Sequence, residues 1–215
     1  MTSVESLGRR EHKKFVLRRT VRDTAWRLVA ERGFDTVTVD EIATGAGISV
    51  ATFYRHFSGK ESVLTRRWLS PERMAQLEPE LDRDHGLPRA VESLFEAYVG
   101  IVAHYQVDLI TRLKVIHLDT GLQLAMARGR NEDTRTLTGL FAEISDQPAD
   151  SLAMRLAASL TSSARIAAMS RWAELDGHPT LGVLLHEVAE TLAPSLHRCE
   201  TAISTSVDAD SSRAT

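Results

Sequence analysis

Cysteine, glycine and proline are scarce in this chain of 215 residues, and each shortage excludes something. The single cysteine, Cys199, excludes an internal disulfide framework and a multi-cysteine zinc site, and it fits a reducing cytoplasm. Only 12 glycines and 6 prolines disfavour an all-β fold, which needs many tight turns. No apolar run reaches the roughly 18 residues of a membrane-spanning helix, and none follows the basic N-terminus as in a secretory signal. We therefore expect a cytoplasmic protein that does not interact with a membrane.

The charge is unevenly distributed along a chain of otherwise ordinary composition, with 43% hydrophobic and 26% charged residues. The first 70 residues carry 13 Lys and Arg against 8 Asp and Glu, whereas the remainder carries 13 against 21. A basic N-terminal third on an acidic body indicates that one end of the protein faces a polyanion. A solvated charged face would give the same count, so charge alone leaves both interpretations open.

Apolar residues recur at the 3.6-residue period in nearly every informative segment, and no alternating strand pattern is evident. The pattern therefore predicts an all-α fold. The last two long helices are predicted at about 150–175 and 179–196, and the apolar stripe of the second is expected to end before Pro194. Residues beyond about 201 are rich in Ser, Thr, Asp and Ala and are predicted to be a disordered tail.

Residues 39–58 have the internal pattern of a helix-turn-helix. Thr38 and Glu41 form a capping-box pattern before the first helix, and Ser49 can cap the second helix over 50–57. Gly47 lies at the turn, where a positive φ is favourable for glycine. Further signals are Gly33 at the end of the preceding helix, a second capping box at Ser58 and Glu61, and inward positions at Ile42, Ala43, Ile48 and Phe53.

A short helix with small residues at its start can enter the DNA major groove. Val50, Ala51 and the methyl group of Thr52 could touch thymine methyl groups, and the hydroxyls of Ser49 and Thr52 could bond to bases. Phosphate contacts, which position the protein, suit three further residues: Thr38, Tyr54 and Lys60. An αα-corner within a helical enzyme would give a similar pattern.

The same segment resembles the DNA-binding domain of the tetracycline-repressor (TetR) family over about residues 15–66. The resemblance is carried by AERGF (30–34), TVDEIA (38–43), AGIS (46–49), TFYRHF (52–57) and Lys60-Glu61. It implies that DNA contacts come from Thr38, Ser49, Val50, Thr52, Tyr54, His56 and Lys60, with Tyr54 and Lys60 as phosphate anchors. Ser58-Gly59-Lys60 departs from the Ser-Lys or Asn-Lys of many members. The resemblance also implies a homodimer, a divergent C-terminal ligand pocket and release from DNA when a ligand binds.

The predicted organisation has four parts. They are a flexible basic arm (1–14), the helix-turn-helix domain (15–66), a larger helical ligand-binding and dimerisation domain (67–200) and the tail (201–215). The two long helices at about 150–175 and 179–196 are the dimerisation candidates, because an alanine-rich face allows close helix approach. Alternatively, these two helices simply complete the core of the monomer.

A ligand pocket is expected among the helices spanning about 88–175, where polar groups interrupt apolar faces. The polar candidates are Tyr98, His104, Tyr105, Arg112, His117 and Arg165. The apolar candidates are Phe95, Val102, Leu109, Leu113, Leu122, Met126, Phe141, Leu160 and Trp172. Ordinary core or surface positions are the alternative for each. The region around 164–172 and the following helix faintly resembles family members with an acyl-CoA-like ligand-binding domain.

These observations predict a repressor that binds a palindromic double-stranded DNA operator as a homodimer and is released by a small-molecule effector, with no cofactor and no metal. Two other classes of function remain open. A helical enzyme is disfavoured because the common nucleophile, zinc and nucleotide motifs are missing, although His186, Glu190 and His197 could share a helix face as a metal site. A non-specific DNA-coating protein is disfavoured by the net charge of −3.

Overall fold

The computed structural model describes residues 9–64, 68–103 and 106–202, and it contains only helices and connecting segments within these ranges. This confirms the predicted all-α fold. A short 3-10 helix at Glu78–Glu80 follows α5. The α-helices are α1 (Arg9–Arg32), α2 (Val39–Gly45), α3 (Val50–His56), α4 (Lys60–Leu64), α5 (Pro71–Leu77), α6 (Gly86–Val102), α7 (Gln106–Leu118), α8 (Thr120–Ser145), α9 (Leu152–Glu174) and α10 (Leu181–Thr201).

The chain divides into two compact units. The first comprises Met1–Arg67 together with Val115–Gly129, so it includes a segment distant in sequence from the N-terminal helices. Its core is a cluster of buried apolar side chains from α1, α2, α3, α4 and α8. Val21, Ile42, Phe53 and Leu122 are fully buried members of this cluster. The sequence pattern assigned only 15–66 to this domain, and the contribution of the 115–129 segment was not anticipated.

The second unit comprises Trp68–Lys114 and Arg130–Thr215. Its core is formed mainly by α6, α9 and α10, and Leu94, Phe95, Trp172 and Leu185 are each no more than 2% exposed. These long helices form because each places apolar residues three and four positions apart on the face that packs inward. None of the helices in the described ranges combines the length and apolar character needed to cross a membrane.

Two predicted helix boundaries differ from the structure. Helix α1 begins at Arg9, inside the segment predicted to be a flexible arm, because residues 9–14 are mostly Arg, Lys and Glu, which favour helix. Helix α10 continues through Pro194 to Thr201, whereas we expected it to end before this proline. Leu196 and Cys199 beyond the proline are buried, and their packing offsets the hydrogen bond that Pro194 removes. Most of the predicted tail, 203–215, lies outside the described residues.

Candidate nucleic-acid interface

The first helix of the helix-turn-helix, α2, begins with the predicted capping box. The Thr38 hydroxyl accepts a hydrogen bond from the backbone N–H of Glu41 at 3.3 Å, and the Glu41 carboxylate accepts from the backbone N–H of Thr38 at 2.9 Å. Arg32 also binds this carboxylate, at 2.8 Å. The hydrogen bond from Arg32 and those from Thr38 lower the pKa of Glu41 to about 2. The start of α2 is therefore fixed to the end of α1.

A tight turn separates α2 from α3. Gly47 has a φ of +68°, a conformation that glycine adopts without strain and that the sequence pattern required at this position. Close packing holds the two helices together, since Ile42 and Ala43 of α2 and Phe53 of α3 are at most 1% exposed. A Cβ at Gly45 would lie 2.9 Å from the Thr24 side chain, so a small residue at this position lets α2 approach α1.

Helix α3 turns one face into the core and presents the other to solvent. Phe53 and Phe57 are buried, at 0% and 7% exposure, and they anchor the helix. On the opposite side Ala51 is exposed and Tyr54 is 56% exposed, and the Tyr54 and Phe53 rings are nearly perpendicular with their centres 5.5 Å apart. Val50, Thr52 and His56 are partly buried. The exposed side of α3 is therefore available for contact with another molecule.

Ser49 has two roles at the start of α3. Its hydroxyl accepts a hydrogen bond from the backbone N–H of Thr52 at 3.1 Å, which is the predicted N-cap. The same hydroxyl donates to the Thr52 hydroxyl oxygen at 3.0 Å. This second bond fixes the orientation of the two hydroxyl groups that the sequence analysis assigned to base contacts.

Basic side chains lie around the C-terminal end of α3. The Arg18 guanidinium donates to the backbone carbonyl of His56 at 3.2 Å and lies 5.7 Å from the centre of the Phe57 ring. Burial lowers the pKa of His56, and the positive charges of Arg55, Arg18 and Lys14 lower it further. These effects favour the neutral imidazole of His56 near pH 7. The sequence analysis identified a basic N-terminal third without placing Lys14 and Arg18 beside α3.

Lys60 is engaged inside the first unit. Its ammonium group donates to the backbone carbonyls of Phe34 at 2.7 Å and Val37 at 3.0 Å, and it lies 4.3 Å from the centre of the Phe34 ring. These contacts hold the loop between α1 and α2. The hydrogen bonds at the start of α4 also differ from the predicted Ser58–Glu61 capping box, because the Ser62 hydroxyl accepts from the backbone of Ser58 and Gly59.

The candidate ligand-pocket residues fall into both units. Those in the second unit are Phe95, Tyr98, Val102, Leu109, Arg112, Leu113, Phe141, Leu160, Arg165 and Trp172. His117, Leu122 and Met126 belong to the first unit, where Leu122 is fully buried in the core and His117 is exposed. His104 and Tyr105 lie outside the described residues. Ten of the candidates thus belong to the second unit and three to the first.

The alternative metal site at His186, Glu190 and His197 is not formed. His186 lies 3.4 Å from Glu92 and 3.6 Å from Glu190, whereas His197 pairs with Glu200 at 3.9 Å. No group of three His, Cys, Asp or Glu side chains suited to a metal ion occurs within the described part of the chain.

The geometry of α2, the turn and α3 defines a helix-turn-helix protein of the DNA-binding class. Residues 21–66 match the model of the bacterial regulatory proteins of the tetR family, and residues 85–197 match that of the MftR C-terminal domain. The second match alone covers more than half of the chain. The protein belongs to the TetR family of transcriptional regulators and carries an MftR-type C-terminal domain.

Curated relatives match over part of the chain. The HTH-type transcriptional regulator EthR of Mycolicibacterium smegmatis is 40% identical over 72 residues, which are 33% of this chain and 29% of EthR. YdeS of Bacillus subtilis, an uncharacterized HTH-type transcriptional regulator, is 42% identical over 52 residues, which are 24% of this chain and 26% of YdeS. The matches therefore span less than a third of each relative.

Solved structures show the same fold over most of the chain. The transcriptional regulator FadR from Bacillus subtilis, crystallised with stearoyl-CoA, superposes with a TM-score of 0.57 at 18% identity and covers 83% of this chain and 99% of FadR. The fatty acid degradation regulator FadR from Bacillus halodurans has a TM-score of 0.52 at 20% identity and covers 82% and 94% of the two chains.

Proposed function

We propose that the protein is a repressor that binds a palindromic operator as a homodimer and leaves it when a small molecule binds to the second unit. The observation that carries this proposal is the exposed side of α3, on which Ala51 and Tyr54 project from a helix anchored by buried Phe53 and Phe57. Thr38, Ser49, Val50, Thr52, His56 and Lys60 complete the proposed DNA-contact set.

Base and phosphate contacts are divided between these residues. Val50, Ala51 and Thr52 lie in the first turn of α3, from which a recognition helix reaches base edges. Tyr54 follows on the exposed side and suits a phosphate contact. Arg18 and Arg55 add positive charge near the other end of α3, which favours the phosphate backbone.

The proposed dimer forms through α9 and α10. Leu152 and Leu156 of α9 are 81% and 48% exposed, and Val183 of α10 is 54% exposed. Leu152 and Leu156 lie four positions apart, so both project from one face of α9, and neighbouring exposed apolar side chains are typical of an interface. A symmetric pair of recognition helices would read two half-sites about 34–36 Å apart, which explains why the expected operator is palindromic.

The effector acts by preferring one conformation of the dimer. Its influence is limited to the difference between its affinities for the DNA-binding state and the released state. The resemblance around 164–172 and the stearoyl-CoA bound by FadR of Bacillus subtilis support a hydrophobic or acyl-CoA-like effector. The proposed function includes no catalytic step and no cofactor.

Selection from a random duplex library tests the proposed function. We expect the enriched sequences to contain an inverted repeat, and fluorescence anisotropy should show affinity falling steeply with salt. Enrichment without symmetry, or affinity insensitive to salt, would contradict the proposal. Leu152→Glu and Leu156→Glu should give monomers in analytical ultracentrifugation, whereas Leu118→Glu, at an 85% exposed position of the first unit, should leave the dimer intact.

A further inference from the structure

A polar depression lies on the surface of the second unit, between α8 and α9. Its volume is about 380 Å³, within the range of small-molecule sites. The residues that line it are Arg130, Asn131 and Thr134 of α8, and Ser159, Ser162, Ser163 and Ile166 of α9. None of these seven is among the residues predicted for the effector pocket, so the depression is a separate feature.

Helical geometry brings these residues to one place. Arg130 and Thr134 lie four positions apart on α8, and residues three or four apart are neighbours on a helix surface. The same spacing relates the four residues of α9. Ser162 is only 4% exposed and forms part of the floor, whereas Arg130 and Asn131 are exposed.

Several hydroxyl groups of the depression are not used by the chain itself. Helical Ser and Thr hydroxyls often donate to the carbonyl four residues earlier, and on α8 and α9 this holds for Thr136, Thr138, Ser159 and Thr161. Within the described ranges, the hydroxyls of Thr134, Ser162 and Ser163 have no hydrogen-bond partner. An unpaired polar group as buried as that of Ser162 is costly, and a partner can reach it from the depression.

Donors and positive charge predominate in this lining. Arg130 is the single charged residue of the lining, and it has no ion pair or hydrogen bond among the residues that the structure describes. The guanidinium of Arg130 can only donate, the amide of Asn131 offers two further N–H groups, and the hydroxyls can rotate their protons toward a ligand. The lining is therefore complementary to a negatively charged group with several acceptor oxygens.

We propose that this depression binds the phosphate group of a small molecule, with Arg130 as the ion-pair partner and Asn131 and Ser162 as hydrogen-bond donors. A phosphate presents at least three acceptor oxygens in a tetrahedral arrangement, so donors on two adjacent helices can bind different oxygens of one group. A planar carboxylate has only two oxygens and leaves more of these donors unused. The site is separate from the DNA-contact residues and from the predicted effector pocket, so it does not rest on the proposed function.

Asn131 provides a direct test, because it is the only asparagine in the chain. Full-length protein labelled with ¹⁵N in the asparagine side chain gives one side-chain amide signal. We would follow this signal while inorganic phosphate or glycerol phosphate is added at constant ionic strength, with glycerol and sodium chloride as the matched neutral and ionic controls. Both phosphate compounds should shift the signal in a saturable manner, and neither control should.

The outcomes of this titration are distinct. Tighter binding of glycerol phosphate would identify a phosphorylated organic molecule as the ligand, and tighter binding of inorganic phosphate would identify the free ion. No saturable shift with either compound, or an equal shift with glycerol, would overturn the proposal. A signal that responds to protein concentration but not to phosphate would assign the depression to a contact between two copies of the chain and would overturn it too.

Variants provide a second, independent measurement by calorimetry. Arg130→Met should weaken the binding of both phosphate compounds at least about tenfold, because it removes the charge of the lining. Ser162→Ala should weaken binding about fivefold and should fold normally, since the hydroxyl that it removes bonds to nothing in the described chain. The control Arg135→Met removes an exposed arginine of α8 outside the lining and should leave both affinities unchanged. Equal affinities in the wild type and Arg130→Met, or equal losses in the two arginine variants, would refute the site.

Discussion

The backbone N–H of Phe34 donates a hydrogen bond to the carboxylate of Asp119 at 2.6 Å, across 85 positions of sequence. The second oxygen of the same carboxylate accepts from the backbone N–H of Leu122 at 2.9 Å. Asp119 therefore joins the residues that follow α1 to the start of α8. This contact, together with buried Leu122, explains why the segment 115–129 belongs to the first unit.

Leu122→Ala should destabilise the first unit by about 3 kcal/mol, because it removes a fully buried side chain from a packed core. The measurement is urea unfolding monitored by circular dichroism. Leu124→Ala, at a 65% exposed position two residues later, is the matched control and should change stability by less than about 0.5 kcal/mol. If Leu122→Ala left stability unchanged but weakened effector binding, the original prediction that Leu122 lines the ligand pocket would be supported instead.

Tyr54→Phe and Thr52→Ala should affect DNA binding in different ways. Loss of the Tyr54 hydroxyl removes a proposed phosphate contact, so affinity should fall about fivefold on every operator variant. Thr52→Ala should change which bases are preferred, and Thr52→Val, which keeps a methyl group, should retain any preference for thymine. Anisotropy titrations over a panel of single-base operator variants measure both effects. Identical profiles for the Tyr54 and Thr52 variants would contradict the assigned roles.

Lys60→Met should lower the free energy of unfolding by about 1–3 kcal/mol, because the carbonyls of Phe34 and Val37 lose a charged donor. Lys14→Met, at an exposed position of α1, should leave stability unchanged and reduce the salt slope of DNA binding by about 0.9. Chemical unfolding and salt-dependent anisotropy separate the two roles. A stable Lys60→Met protein would contradict the internal tie, and an unchanged salt slope would contradict the phosphate contact proposed for Lys60.

Glu41 should make the stability of the first unit depend on pH in the acidic range. Its pKa is about 2 in the folded protein against an ordinary value of 4.5. The stabilisation is therefore complete above pH 4.5 and is lost as the pH falls from 4.5 toward 2. Glu41→Gln keeps a capping side chain without a titrating charge, so its unfolding midpoint should vary less over this range. Parallel pH profiles for the two proteins would rule out this contribution.

The sequence was sufficient for the features that depend on local chemistry. The capping box at Thr38, the cap at Ser49 and the positive φ of Gly47 each follow from residues a few positions apart, and the structure confirms all three. Features that depend on distant packing were not predictable. The helical period indicated that Leu122 lies on an apolar face, but it did not show which of the two cores the side chain joins. Pro194 indicated the end of a helix, whereas the helix continues because Leu196 beyond the proline is buried.

The candidate site shows the same division. The pattern gave Phe53 an inward position and assigned Ala51 and Tyr54 to contacts outside the core, and in the structure Phe53 is buried while Ala51 and Tyr54 are exposed. It could not show that the Lys60 ammonium lies on backbone carbonyls, since these belong to a loop more than twenty positions away. The predicted contacts of all eight residues with DNA remain predictions.

The dual hydrogen bonding of Ser49 limits how this regulator can acquire new target sequences during evolution. Any replacement at Ser49 that lacks a side-chain acceptor weakens the start of α3. Such a substitution therefore destabilises the helix whether or not it also changes the preferred DNA sequence. Ala51 makes no such hydrogen bond, and substitutions at this exposed position would change the base contacts that we propose for α3 with little loss of stability. We expect paralogues with diverged targets to differ at position 51 far more often than at position 49.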